Sequence, residues 1–250
     1  MIDVQTMWRR IQGRWTSLRQ VPALYLFAPT SGTEDMALAL SAFAQWCEAH
    51  PGVRCRVGLS GCWLLHSVPG PTGDAQSAQA LALQQWAHYL DLDESTLLRD
   101  WVLREVAVSK VALVCAVPRS LIEGLHEQAT AHGVRLEWVG PWWAQGVQFW
   151  LADLAADVTR PEGIRTLHLV EPDLVTHVQA TGQPGKTASL QRIWSDRHDA
   201  SRLAPGDGRV VLQAPASDGQ ANTAVQHGLW DHTALQPVLS GVDSCWKAQA

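Results

Sequence analysis

The alternation of apolar and polar positions is clearest between Trp101 and Trp143. Val111 to Val117 is an unbroken apolar run of strand length, and Pro118 ends it. Such a run predicts a strand covered on both faces. Ser120 stands three residues before Glu123, the spacing of a capping box in which hydroxyl and carboxylate satisfy opposite orphan amides. Leu121, Ile122, Leu125 and Ala129 then recur at helical spacing, and Gly133 is placed to close the helix. Val134, Leu136 and Trp138 alternate with Arg135 and Glu137, which predicts a strand with one buried face. Together these segments predict a βαβ unit with parallel strands and a right-handed crossover.

The same reading extends along the chain. Residues 5–19 set Trp8, Ile11, Trp15 and Leu18 on one helical face, with Arg9, Arg10, Arg14 and Arg19 over much of the rest. A strand is predicted over 23–28, followed by a helix with Ser31 and Glu34 as its capping pair that runs to about His50. Ser60-Gly61 between two apolar segments predicts a hairpin. A helix capped by Asp74 is predicted over 75–90, and a short helical turn through DLDES leads into the strand beginning at Trp101. Pro141 suits the first turn of a helix through Leu154. After a boundary near 160–163, four apolar segments (165–171, 173–180, 188–194 and 209–214) separated by Gly- and Pro-bearing turns predict an antiparallel meander with one solvated face. The division expected is an amphipathic helix at 1–20, a first lobe at 21–159 and a smaller β-rich lobe at 160–250, whose last 35 residues are weakly patterned.

Composition narrows the functional classes. A net charge of −5 with 17% charged residues gives a nucleic-acid partner no support. The five cysteines show no paired short spacing, so they read as reduced thiols of a cytoplasmic protein, without a zinc knuckle or disulfide frame. No apolar segment has the length of a signal-peptide core or a membrane span. The thirteen tryptophans against two tyrosines point first to core packing and second to binding surfaces.

The chemical candidates are few. Ala180 to Thr187 (ATGQPGKT) meets a relaxed phosphate-loop pattern, with Gly185, Lys186 and Thr187 as cofactor-binding candidates for Mg-ATP. Its context opposes that chemistry: the preceding segment alternates, Pro184 removes an amide from the cradle, and the later run RVVLQA ends without an Asp for the metal. Gly58-Leu59-Ser60-Gly61 lacks the last Gly of a nucleophile elbow and reads as a turn. The histidine spacings, six for His126 and His132 and five for His227 and His232, set no two ligands on one helix face. His168 and Glu171 face opposite ways on one strand, and Glu171-Pro172-Asp173 reads as a strand turn. No residue is named as a catalyst, no metal is expected, and the chain is read as a non-enzyme.

Two segments, VALVCAVPRSLIEGLHEQATAHGVRLEWVGPWWA and LHLVEPDLVTHVQATGQPGKTASLQRIW, resemble the actin-like assembly proteins of type IV pili and type II secretion, the PilM, MshI and GspL group. The preceding VRCRVGLSGCWLLHSVPGP and AQSAQALALQQWAHYLDLD fit the same order, so the resemblance covers about residues 53–196. It implies a mixed α/β, ribonuclease-H-like or actin-like fold of two lobes, the second one reduced. It further implies a cytoplasmic platform that binds inner-membrane assembly subunits, couples them to a motor ATPase and pairs with itself. The PilM branch carries a Gly-rich turn and an Asp at its first strand for nucleotide. Here 23–28 leads into APTSGTED with no acid inside the strand, so no nucleotide residue is carried over and no cofactor is expected. The leading expectation is therefore a non-catalytic scaffold, with Trp8, Arg9, Arg10 and Trp15 as partner-binding residues. The alternatives are a nucleotide-binding protein or ATPase using 180–187, and a membrane-surface or regulatory module acting through residues 5–19.

Overall fold

The computed structural model describes residues 21, 23–26, 33–69, 77–107, 112–156, 163–171, 174–182, 188–196 and 209–213. The elements run in the order β1 (Ala23–Leu26), α1 (Thr33–Ala49), β2 (Arg54–Leu59), a single 3-10 turn (Gly61–Trp63), β3 (Leu65–Ser67), α2 (Ala78–Leu90), α3 (Glu94–Asp100) and β4 (Trp101–Ala107). Then follow β5 (Ala112–Pro118), α4 (Arg119–Ala131), β6 (Arg135–Pro141), α5 (Ala144–Ala156), β7 (Gly163–Val170), β8 (Val175–Gly182), β9 (Ser189–Asp196) and β10 (Arg209–Gln213). β1, β2 and β6 form an all-parallel sheet in that order. β5 lies between β3 and β4 in an antiparallel sheet. The third sheet has the order β10-β7-β8-β9; β7 to β9 are an antiparallel meander and β10 runs parallel to β7. A meander with a fourth strand laid parallel beside its first is the ribonuclease-H-like arrangement.

The helices form where apolar spacing and caps coincide. Phe43 and Cys47 of α1 and Leu121, Leu125 and Ala129 of α4 are buried in the main core. Ser77 caps α2, its hydroxyl accepting from the Ala80 amide at 3.2 Å. Asp93 caps α3 by accepting from the Thr96 amide at 2.8 Å. Gly133 takes φ +67° after α4, the left-handed conformation that suits glycine at a helix end.

Several expectations are corrected. β5 and β6 are joined by α4 but do not pair. A strand has two edges, and those of β5 are taken by β3 and β4, so β6 pairs with β2. The hairpin at Ser60-Gly61 does not form, because β2 and β3 belong to different sheets. The Ser60 amide donates to the Leu26 carbonyl at 2.8 Å, and its hydroxyl caps the 3-10 turn by accepting from the Cys62 amide at 3.1 Å. The capping box of α4 is not made either: the cap is Pro118, without a side-chain hydrogen bond, which leaves Ser120 inside the first turn. Arg119 donates to the carbonyls of Arg99 at 2.8 Å and Leu98 at 3.1 Å, satisfying the end of α3.

Pro141 is the last residue of β6 rather than the first turn of a helix. It is in register with Leu59, and the Trp142 amide donates to the Leu59 carbonyl at 3.0 Å. Asp74, the expected cap of α2, lies outside the described residues. The meander is also not solvated along one whole face. Leu167 to Val170 and Val175 to Val178 are all buried, since α5 packs on β8 and β3 meets β9.

One hydrophobic cluster runs from Leu24 through Val57, Leu125 and Trp143 to Leu167 and Ile193, so the parallel sheet and the meander share a core. A separate cluster holds Trp86, Leu97, Leu103 and Val114 beneath α2 and α3. Among the described residues no helix is long and apolar enough to cross a membrane. Trp143 is fully buried, and its indole N–H has no hydrogen-bond partner. Trp143→Ala is expected to cost about 3–5 kcal/mol in urea unfolding. Trp143→Phe, which also removes the unpaired donor, is expected to cost less than half as much.

Candidate functional site

The polar centre of the molecule lies at the carboxyl ends of β2, β6 and β7. β7 ends in the buried residues Leu167, His168, Leu169 and Val170, and the next residue, Glu171, is only 2% exposed. Its carboxylate accepts hydrogen bonds from three groups in two other segments. The Ser60 hydroxyl donates to Oε2. The Gly61 amide donates to Oε1 at 2.7 Å, and the Trp142 indole Nε1 donates to Oε1 at 2.8 Å. The Glu171 amide in turn donates to the Leu174 carbonyl at 2.8 Å, which closes the β7–β8 turn.

Gly61 is required by this close approach. A Cβ there would stand 2.9 Å from Glu171 Oε1, 2.9 Å from Leu174 Cδ2 and 3.2 Å from Thr176 Oγ1. Burial pushes the Glu171 carboxyl above its ordinary value, and the bonds from Ser60, Gly61 and Trp142 pull it down without cancelling the shift.

A second polar cluster lies beside it. The Thr176 and Ser195 hydroxyls are 2.8 Å apart, and Ser195 Oγ is 3.3 Å from His66 Nε2. His66 meets the Trp143 ring edge-on and is pushed down to about 4 by burial. Its Nδ1 has no hydrogen-bond partner, so no third group orients the imidazole as a serine–histidine catalyst requires. Farther along β7 and β8, His168 Nδ1 and His177 Nδ1 are 2.8 Å apart. His177 stacks on Trp194 and lies 3.4 Å from Asp196. Among the described residues no group of three His, Cys, Asp or Glu side chains could hold a metal ion. The buried Cys47 and Cys55 thiols are pushed up to about 11 and about 12, chiefly by burial, the condition of unreactive structural thiols.

The residues singled out from the sequence are placed as follows. Gly185, Lys186 and Thr187, and Trp8, Arg9, Arg10 and Trp15, lie outside the described residues. The flanks of the former are described: β8 enters the segment and β9 leaves it, antiparallel to each other. A phosphate loop instead opens a helix after a strand. Ser60 is buried and engaged by Glu171 and Cys62. Glu171, read from the sequence as part of a turn, is the group about which the site is built. The available signal was a carboxylate directly following a strand apolar enough to be buried on both faces.

No family model matches the chain, and no curated protein matches it. Among solved structures it is similar to a chain of the PilM–PilN type IV pilus biogenesis complex, at 12% identity over 69% of this chain and 51% of that one, with a TM-score of 0.45. It is also similar to the cytoplasmic domain of EpsL, an inner-membrane component of the Vibrio cholerae type II secretion system, at 16% identity over 84% and 82%, with a TM-score of 0.40. A third is a Bacteroides thetaiotaomicron protein with an actin-like ATPase fold, at 10% identity over 76% and 65%, with a TM-score of 0.38. The chain spans about half the length of the pilus-complex chain. The fold class expected from the sequence, mixed α/β of ribonuclease-H-like type, is the one found.

Glu171→Ala leaves two buried N–H donors and a hydroxyl unpaired, and is expected to cost about 2–4 kcal/mol. Glu171→Gln keeps both N–H bonds and is expected to be far milder, with a distinct pH signature. Because the folded carboxyl titrates above its unfolded value, its contribution is full below the unfolded pKa and is lost as pH rises through the folded one. Urea unfolding from pH 4 to pH 8 should therefore show wild type losing stability relative to Glu171→Gln as pH rises. A parallel pair of curves would contradict this. Gly61→Ala is expected to cost about 1–3 kcal/mol through overpacking against Glu171 and Leu174.

Proposed function

We propose that the protein is a non-catalytic, actin-like scaffold on the cytoplasmic face of a type IV pilus or type II secretion-like assembly platform, where it binds inner-membrane assembly subunits and works without a cofactor. The observation that carries the non-catalytic part is the closure of the strand ends. In open α/β sheets, ligands bind in the crevice beyond the carboxyl ends of the strands. At the ends of β2 and β6 that position is taken by the chain's own carboxylate, with the Gly61 amide and the Trp142 indole directed at it. The donors that would hold a ligand's anion are already satisfied internally. The machine and its partner class rest on the sequence resemblance of residues 53–196.

Cross-linking of the full chain in its native cells is expected to recover inner-membrane subunits of a pilus or secretion platform, and deletion of its gene to abolish that assembly. Recovery of no such subunit together with intact pili and secretion would defeat the reading. Calorimetry with Mg-ATP is expected to give no binding heat. Heat that disappears in Lys186→Ala would establish the nucleotide-binding alternative instead.

A further inference from the structure

We infer that the exposed acidic and apolar surface at the junction of α2 and α3 is a docking site for residues 5–19 of a second copy of this chain. Tyr89, Leu90, Leu92 and Leu98 are 80%, 42%, 41% and 51% exposed. Single exposed apolar residues are ordinary. Four within ten positions, on two consecutive helices and the turn joining them, make a patch of the kind that marks an interaction site. The same stretch exposes the carboxylates of Asp91, Asp93, Glu94 and Asp100. Two arginines lie on it: Arg99 is paired with Asp100 at 2.8 Å, and Arg119 donates to the Leu98 and Arg99 carbonyls.

Both helices are anchored. Trp86 and Leu97 anchor both helices in their own core cluster, and Asp93 holds the turn by accepting from the Thr96 amide.

The ligand chemistry matching such a surface is a basic amphipathic helix with aromatic anchors. Residues 5–19 have that pattern: Trp8, Ile11, Trp15 and Leu18 at helical spacing, four arginines, and no carboxylate. Trp and Arg are the residue types that dominate interface energetics. The donor is a second copy because of where the segment is tethered. Residues 20–22 tether it to β1, whose Leu24 shares a cluster with Leu113, Cys115 and Val117 on one face of β5, while α2 and α3 cover Val114 and Ala116 on the other. β1 belongs to the sheet packed on the main core, whereas α2 and α3 cover the separate cluster over β4 and β5. The contact is heterologous, so it builds either a growing chain or a closed ring.

Sedimentation velocity of the full chain over a concentration series at low salt tests this. Concentration-dependent association is expected, weakening with added salt. The surface pairs Tyr89→Ser/Leu98→Ser and Trp8→Ser/Trp15→Ser are each expected to raise the dissociation constant by about tenfold or more. An equimolar mixture of the two variants retains one intact segment and one intact patch, so it is expected to regain dimers and nothing larger. A chain that is monomeric at every concentration, or association unmoved by either pair, would overturn the inference. So would vesicle binding by residues 5–19, lost in the Trp8/Trp15 variant, with association unchanged. None of these readouts depends on the presence of a pilus or secretion partner, so failure here and failure of the scaffold reading are separate results.

Discussion

The burial of the Glu171 carboxylate is the constraint to which the surrounding chain conforms. A carboxylate taken out of water without partners costs several kcal/mol, so the chain can close over it only where donors converge. The Ser60 hydroxyl, the Gly61 amide and the Trp142 indole do so from segments 29 to 111 residues away in sequence. Each donation restricts the path of the segment that makes it. The chain leaving β2 turns Ser60 and Gly61 toward Glu171 and passes to the antiparallel sheet. With its indole committed, Trp142 continues the line of β6 far enough for its amide to reach the Leu59 carbonyl. One side chain at the end of β7 thus ties together the ends of two strands in another sheet.

The carboxylate contributes geometry more than stability. Its shift is upward, which means that loss of hydration outweighs the three hydrogen bonds it gains. A neutral amide of the same shape would meet most of the same donors at lower cost. What the ionised group supplies is a demand for convergence: it tolerates no arrangement in which the donors are absent. The neighbouring Thr176, Ser195 and His66 contacts extend this polar seam between the meander and β3, while Leu167, Val178 and Trp143 enclose it in the shared core.

The pattern of buried positions was legible in the sequence, and the pairing of strands was not. Leu121, Leu125 and Ala129, and Val134, Leu136 and Trp138, are buried as their spacing indicates. The continuous apolar run of β5 is covered on both faces from Leu113 to Val117. Periodicity reports which face is buried but says nothing about which edge is paired. The βαβ reading accordingly placed β6 beside β5, when its partner is β2. Ser60-Gly61 has turn chemistry whether the chain reverses within one sheet or crosses to another. Glu171 beside Pro172 has the local character of a turn, and the donors that define its role are remote in sequence. Local rules read it as solvated because they carry no information on long-range convergence. The candidate residues Gly185, Lys186 and Thr187, and Trp8, Arg9, Arg10 and Trp15, lie outside the described residues.

Closure of the strand ends also bears on where recognition can occur. At the ends of β2 and β6 the Gly61 amide and the Trp142 indole already hold an internal carboxylate, so these two donors are not available to a ligand. The α2–α3 junction differs from the closed centre in each relevant respect. Its carboxylates are solvated instead of enclosed, and its large apolar side chains face outward over a packed cluster. An exposed carboxylate attracts a basic partner with little desolvation cost, although each such contact is individually weak. Apolar anchors beside it supply the affinity that the charges do not. Steering by charge and anchoring by aromatic and aliphatic groups are the two parts of a docking surface.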